Sequence, residues 1–120
     1  MDIEYVKQNA ESTGNCGNGL TWWQLNVDLY IEGQGEVEYR AFEGCESIQN
    51  VVIAPGCTGI GAYAFMCRNL KTVQLPDGLQ SVGDGSFLGS SLKTINLPEG
   101  LLSIGKCAFD MFFLMKMSCL

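Results

Sequence analysis

Four phenylalanines recur along the chain at an almost constant spacing. The intervals are 23, 22 and 22 residues, and the positions are Phe42, Phe65, Phe87 and Phe109. A fixed period of this length predicts a solenoid, in which each repeat buries its apolar side chains against its neighbours. The spacing therefore constrains the architecture before any strand or helix is assigned.

Other apolar positions follow the same period. A Leu-x-x-Val/Ile-x-Leu motif recurs at Leu70, Val73, Leu75 and at Leu92, Ile95, Leu97. Alternation within the motif predicts a short strand, with Val73 and Leu75 directed inward and Thr72 and Gln74 directed outward. The repeats thus predict one inward-facing and one outward-facing row of side chains along a stack of strands.

Each strand motif is followed by a turn signal and a second short segment. Pro76-Asp77-Gly78 predicts a turn that ends the strand. Ser81-Val82-Gly83 predicts a shorter extended piece on the opposite wall, with Ile60, Val82 and Ile104 in one apolar column. The glycine column, which comprises Gly61, Gly83 and Gly105, predicts either a positive φ or a close approach of backbone.

The repeated unit resembles the leucine-rich repeats of the BspA-like family. The matching stretches are Ile60-Gly-Ala-Tyr-Ala-Phe65, Cys67-Arg-Asn-Leu-Lys-Thr-Val-Gln-Leu-Pro76 and Ile104-Gly-Lys-Cys-Ala-Phe109. The resemblance implies a mostly β solenoid of about 22-residue repeats over residues 39–120, with three repeats and a truncated fourth. It also implies a protein-binding module, because leucine-rich repeat proteins usually bind partners through outward strand residues.

Residues 1–38 are predicted to be an N-terminal tail and a β-hairpin cap. Leu20–Leu25 and Leu29–Ile31 are aromatic-rich or β-branched, and the short connection 26–28 between them predicts a hairpin. The stretch from Cys16 to Gly35 is also similar to the segment that precedes the repeats in many BspA-like proteins. A solenoid needs such a cap over its first repeat. Residues 1–15 show no clear pattern, so a strand, a helix and a loose tail remain open.

The acidic residues are concentrated in the first part of the chain. The net charge is −6, with nine acids and two bases up to Glu46 and four acids and five bases beyond it. This distribution predicts either a solvated acidic face or a patch that meets a basic partner. The candidate residues for such a patch are Glu36, Glu38, Glu43 and Glu46. Direct binding of nucleic acid is not expected, because no basic surface would neutralise phosphates.

The sequence contains no membrane-spanning pattern and no secretory signal. No run of eighteen apolar residues occurs, and the start Met1-Asp-Ile-Glu is too polar for a signal peptide. A cytoplasmic location is expected if Met1 is the native start. The family resemblance implies a secreted or cell-surface location if a signal peptide has been removed.

The residue types needed for common catalytic sites are missing. The chain has no histidine, which excludes Ser-His-Asp and Cys-His mechanisms and the usual zinc hydrolase sites. We expect no catalytic residue, no metal site and no cofactor. Of the six cysteines, Cys45 and Cys67 share a repeat column and are predicted to lie roughly 5 Å apart. They could form a disulfide, share a metal or pack as apolar thiols, and packing is favoured.

The outward strand positions are the stronger functional candidates. Stacked on one wall, they form a polar ladder that consists of Asn50, Val52, Thr72, Gln74, Thr94 and Asn96. The ladder could bind a protein partner, or it could consist of solvent-facing residues that stabilise the stacked strands. Both interpretations predict the same position in the fold.

The C-terminal segment is strongly apolar. Its largest side chains include Phe112, Phe113, Met115 and Met117. An unfinished last repeat leaves an unpaired edge and an apolar face. This end is therefore expected either to fold over as a cap or to pair with another chain in a homodimer.

Two functional hypotheses follow from these features. The first is a non-catalytic module that binds a protein through its solenoid surface. The alternative is a small acidic cytoplasmic inhibitor, of the phage anti-defence type, that blocks the basic groove of a nucleic-acid enzyme. The small size, the missing signal and the uneven charge favour the alternative, whereas the repeats and the family resemblance favour the module.

Overall fold

The chain folds into a mostly β solenoid that begins with one short helix. The computed structural model describes residues 1–110. Helix α1 (Ile3–Asn9) precedes the strands. The strands of the described residues are β1 (Ser12–Gly17), β2 (Leu20–Leu25), β3 (Asp28–Gly33), β4 (Gly35–Val37), β5 (Asn50–Ile53), β6 (Cys57–Ile60), β7 (Thr72–Gln74), β8 (Ser81–Val82) and β9 (Ser103–Ile104).

One wall of the solenoid is a five-stranded sheet in the order β1-β2-β3-β5-β7, here called the ladder sheet. Its first three strands are antiparallel, and β3, β5 and β7 are parallel. Asp28 pairs with Asn50, and Asn50 pairs with Thr72, so each parallel step advances 22 residues. The predicted stack of about 22-residue repeats is confirmed.

The opposite wall is a four-stranded parallel sheet in the order β4-β6-β8-β9, here called the second sheet. Ile60 pairs with Val82, and Val82 pairs with Ile104, which is the column predicted from the sequence. Inward side chains of both sheets, such as Ile53 and Ile60, belong to one buried core cluster. The outer faces of the two sheets are therefore on different sides of the core.

The phenylalanines that set the period form a continuous stack along the core. Adjacent ring centroids from Phe42 to Phe109 lie 5.3, 5.4 and 5.4 Å apart, and the interplanar angles are 13°, 7° and 7°. Trp22, on β2, meets the first ring edge-on at 5.8 Å. The stack is thus closed at its N-terminal end by a side chain from the predicted cap segment.

The predicted hairpin is present, and the chain before it is also ordered. Strands β2 and β3 are joined by Asn26 and Val27, and Asn26 has a φ of 54°, as a tight hairpin turn requires. Strand β1 adds a third antiparallel strand at the edge of the sheet. Helix α1 packs against β2 and β3. Residues 1–15, left open by the sequence, therefore contain a helix and most of a strand.

The glycine column serves close backbone approach. A Cβ on Gly61 would lie 2.6 Å from both the Tyr39 nitrogen and the Val37 oxygen. Positive φ angles occur two residues further on in each repeat, at Arg40 (59°), Tyr63 (58°), Gly85 (60°) and Cys107 (59°). The glycines of this column are therefore needed for close approach of the backbone and not for a positive φ. The positive φ occurs two residues later, where three of the four residues are not glycine.

The third repeat is less completely buried than the second. Val82 is 2% exposed, whereas Ile104 in the same column is 48% exposed. Leu97, an apolar member of the strand motif, is 45% exposed, and its segment forms no strand. A repeat buries its apolar face against both neighbours. The described part of the next repeat ends at Asp110, so most of the C-terminal neighbour of this repeat falls outside residues 1–110.

Candidate functional site

The first outward column of the ladder sheet is a chain of hydrogen bonds. The Asn50 amide donates to Asp28 Oδ1 at 2.9 Å, and the Thr72 hydroxyl donates to Asn50 Oδ1 at 2.7 Å. Each of these residues lies one repeat from the next. Their polar atoms therefore stabilise the stacked strands, as the structural interpretation of the ladder predicts.

The second outward column differs from the first in chemistry and in exposure. It begins with Tyr30, which is 7% exposed beside α1, and continues with the half-buried Val52 and the exposed Gln74. Within residues 1–110, the Gln74 side chain has no hydrogen-bond partner. This column leaves an apolar side chain and a free amide at the surface.

A groove runs along the second column between α1 and the turns that follow β5 and β7. We call it the helix groove, and it is lined by Ile3, Tyr30, Val52, Pro55, Gln74 and Pro76. It continues past Val52 and Gln74 toward Asp28 and Thr72. The outer face of the ladder sheet is therefore a shallow groove with a helical wall, where the sequence predicted a flat ladder.

Polar contacts hold α1 in place beside this groove. The Asp2 side chain accepts a hydrogen bond from the Tyr5 backbone nitrogen at 3.2 Å and caps the helix. The Lys7 ammonium lies 3.1 Å from Glu32 Oε2 and 4.8 Å from the ring centroid of Trp23. Tyr30 donates its hydroxyl to Glu32 Oε1 at 2.9 Å. The position of the helical wall therefore depends on side chains of β2 and β3.

Acidification is expected to weaken the attachment of α1. Hydrogen bonds from Lys7 and Tyr30 lower the pKa of Glu32 below its ordinary value of about 4.5. The stabilisation is present above that ordinary value and is lost as the pH falls through the lowered pKa. Because Glu32 is partly exposed, we expect less than about 1 kcal/mol from this pair.

Urea unfolding of the wild type and Glu32→Gln, followed from neutral to acidic pH, measures this effect. The difference in unfolding free energy between the two proteins should shrink as the pH falls. A difference that stays constant through the acidic range would show that the Glu32 carboxylate contributes nothing to the folded state.

The four acidic candidates do not lie on the outer face of the ladder sheet. Glu36 belongs to β4 of the second sheet and lines a cleft with Glu38. Glu43 forms an ion pair with Arg40. Glu46 lies in the loop before β5, where its backbone oxygen accepts from Asn69 Nδ2 at 2.8 Å. Within residues 1–110, one of these four carboxylates therefore forms an ion pair. The four acidic residues and the polar ladder lie in different parts of the fold.

A surface cluster of aromatic and basic side chains was not predicted from the sequence. The Arg40 guanidinium lies 4.9 Å from the ring centroid of Tyr39 and 5.2 Å from that of Tyr63. The two rings meet edge-on at 6.3 Å. The repeat alignment places Arg40 and Tyr63 in one column, so their proximity could have been predicted. Their left-handed backbone conformation could not, because neither residue type favours a positive φ.

The cysteines before residue 100 are free thiols, including Cys45 and Cys67. Cys67 Sγ donates to the Phe42 oxygen at 3.1 Å, and the Cys45 backbone nitrogen donates to the same oxygen at 3.2 Å. The two residues are thus neighbours in the stack without a disulfide. In residues 1–110, no group of three or more His, Cys, Asp or Glu residues is arranged to hold a metal ion.

Thiol reactivity is expected to separate these cysteines. Burial raises the pKa of Cys16 and of Cys67 to about 12 and also raises the pKa of Cys57. Since the thiolate is the nucleophile, these three should resist alkylation at neutral pH, whereas the half-buried Cys45 should react. Peptide mapping after brief iodoacetamide treatment measures each site. Equal labelling of Cys45 and Cys67 in the folded protein would contradict the burial argument.

Some candidate residues cannot be placed on the groove. The self-association candidates Phe112, Phe113, Met115 and Met117 lie outside the described residues. Thr94 and Asn96 are exposed but lie in a segment that forms no strand. The part of the ladder that the structure does assemble as strands comprises Asn50, Val52, Thr72 and Gln74.

No long apolar helix is present in the part of the chain that the structure describes. Helix α1 has seven residues, and none of the helices in residues 1–110 is long and apolar enough to cross a membrane.

Known proteins of similar fold are bacterial repeat proteins. The T. pallidum leucine-rich repeat protein TpLRR is 27% identical, with a TM-score of 0.58 over 67% of this chain and 47% of that one. A leucine-rich repeat protein from Eubacterium ventriosum is 21% identical, with a TM-score of 0.67 over 81% of this chain and 28% of that one. At 21% identity the likeness shows the fold alone. The chain spans half or less of the length of both proteins.

The sequence also matches a family model over most of its length. The model, described as a BspA type leucine rich repeat region of six copies, matches residues 28–115. Among curated proteins, none matches the chain. Repeat regions of this kind are generally non-catalytic scaffolds and suggest a protein-interaction module. The match begins at β3, whose pairing with β5 already follows the repeat register. The chain therefore belongs to the BspA-type leucine-rich repeat family.

Proposed function

We propose that this chain is a non-catalytic module that binds a protein partner through the outer face of its ladder sheet. The observation that carries the proposal is the adjacent pair formed by the half-buried Val52 and the exposed Gln74 in the helix groove. The apolar side chain can bury surface against a partner, and the neighbouring free amide can donate or accept a hydrogen bond in the same contact. Such a combination is typical of a protein contact surface.

The rigid framework under this pair also supports the proposal. Beneath Val52, the neighbouring strand residues Val51 and Ile53 are each 1% exposed. On one side, the hydrogen-bonded column of Asp28, Asn50 and Thr72 fixes the strand register. A surface held in one conformation loses little entropy on binding, so more of the contact energy appears as affinity.

Capture of partners from cells that make this protein tests the proposal. The tagged chain is compared with Gln74→Arg, and Ser103→Arg, which changes an exposed residue of the second sheet, is the matched control. We expect Gln74→Arg to lose a partner that the wild type and the control retain. All three proteins should have similar free energies of unfolding, because both sites are exposed. A partner retained by Gln74→Arg would place its binding site elsewhere.

A variant of the acidic side chains distinguishes binding through the ladder sheet from binding through the acidic residues. Replacing Glu36 and Glu38 by lysine reverses charge beside the second sheet and leaves the ladder sheet unchanged. A partner that binds the ladder sheet should remain bound to this variant. Loss of the partner here, together with retention by Gln74→Arg, would instead favour an acidic contact surface. No structural observation within residues 1–110 favours the inhibitor hypothesis, so the binding module is the function we propose.

The oligomeric state and the cellular location of the protein are two further proposals. A homodimer through the C-terminal segment, which lies outside the described residues, is a second proposed contact. We propose a secreted or cell-surface location, because BspA-type repeats often occur in surface or secreted bacterial proteins. Sedimentation of the purified chain and fractionation of the native cell measure these two properties.

A further inference from the structure

We propose that the partner presents to the helix groove a segment that carries basic side chains on both sides of an apolar one. This inference rests on the proposed function and adds the chemistry of the partner. It is drawn from the lining of the groove, where acidic groups stand at the two ends and apolar groups lie between them.

The middle of the groove is apolar. Ile3 on α1, Val52 on β5 and Leu75 after β7 are each partly exposed, and Pro76 is buried beside them. Together they can accept an aliphatic side chain of a partner. Burying one such side chain contributes about 1.5–3 kcal/mol.

Among the described residues, both charged side chains that line the groove are acidic, and Met1, which carries the N-terminal ammonium, lines the end that contains Asp28. Asp28 lies at one end, beside Asn50 and Thr72, and Asp77 lies at the other, beside Pro76. Asp28 accepts from a neutral amide, so its negative charge is not compensated by that bond. No Lys or Arg side chain lines this groove in the described part of the chain.

Neighbouring charges strengthen the same preference. Burial raises the pKa of Tyr30 to about 12, with smaller contributions from Glu32 and from the negative charge of Glu4 on α1. The nearest cation on the helix, Lys7, is paired with Glu32. A basic segment would therefore be attracted by the carboxylates of Asp28 and Asp77, which outnumber the single ammonium of Met1, whereas an acidic segment would meet net repulsion. The amide of Gln74 remains available for the backbone of an extended partner segment.

Selection from a displayed library of random decapeptides tests the inference on the full chain. The wild type, Val52→Arg, Asp77→Lys and the control Ser103→Arg serve as baits under the same conditions. We expect peptides that bind the wild type to be enriched in Lys or Arg around Leu, Ile or Val. Their binding should weaken at least about tenfold on Val52→Arg, because a buried apolar contact is lost and a charge is added. Asp77→Lys should remove the enrichment in basic residues on one side of the apolar residue and leave it on the side that meets Asp28.

The outcomes separate this inference from the proposed function. Peptides that need Val52 but show no enrichment in basic residues would overturn the partner chemistry and support the binding face. Peptides that bind all four proteins equally would overturn the groove as the docking site. A library that yields no peptide above background would likewise overturn the inference, whereas capture of a partner that Gln74→Arg loses would still support the binding module.

Discussion

Replacing Phe65 by alanine is expected to lower the free energy of unfolding by about 3–5 kcal/mol. The ring is 0% exposed and stacks between Phe42 and Phe87, with centroid distances of 5.3 and 5.4 Å. Its removal leaves a cavity and breaks two aromatic contacts at once. Since each repeat is held only by its neighbours, the loss separates the N-terminal part of the stack from the rest. Urea unfolding followed by tryptophan fluorescence measures the change.

Tyr5→Ala is the matched control, because Tyr5 is an aromatic residue that is 58% exposed on α1. Its unfolding free energy should stay within about 0.5 kcal/mol of the wild type. Trp22 contacts Phe42 at the end of the same stack, so its fluorescence reports the packing directly. A loss below about 1 kcal/mol for Phe65→Ala would show that the surrounding repeats collapse into the space, contrary to this account.

Gly61→Ala is expected to destabilise the fold by about 2–4 kcal/mol although it adds a single methyl group. That methyl would lie 2.6 Å from the Tyr39 nitrogen and from the Val37 oxygen. Both atoms belong to the backbone of the preceding turn of the solenoid, and Gly61 itself donates to the Val37 oxygen at 2.8 Å. No rotation of a side chain can relieve the contact, so the two turns must separate.

The control for this variant is Gly100→Ala, in a turn of the third repeat. Among the described residues, a Cβ there would have no neighbour within 4 Å, and the φ of Gly100 is not in the left-handed region. It should be neutral or stabilise by up to about 1 kcal/mol, because alanine restricts the unfolded chain. Thermal unfolding of both variants in parallel gives the comparison. Equal melting temperatures for the two would contradict the requirement for close backbone approach at residue 61.

Much of the solenoid could be predicted because its information is repeated. The phenylalanine period, the alternating strand motif and the column of Val82 each occur several times. The structure places them as a ring stack, a parallel sheet and an inward column of the second sheet. When a motif occurs in several repeats, a departure in one repeat does not change the predicted structure.

The helix groove could be predicted only in part. The sequence identified Val52 and Gln74 as outward strand residues, which is where they lie. It did not predict α1, because a seven-residue helix has little periodicity and depends on tertiary contacts for its stability. Without α1, the groove has one wall fewer and Tyr30 would be another exposed ladder residue.

The amino-acid sequence by itself determined the repeat length, the pairing register and the side of each strand that faces the core. These properties follow from local alternation and from contacts between neighbouring repeats. Only the tertiary structure decided which outward residues remain available for a partner. That choice depends on contacts such as Lys7 with Glu32, 25 residues apart, and Asn50 with Asp28, 22 residues apart. The tertiary fold decides which distant residues become neighbours, so residue types alone do not show which of these pairs form.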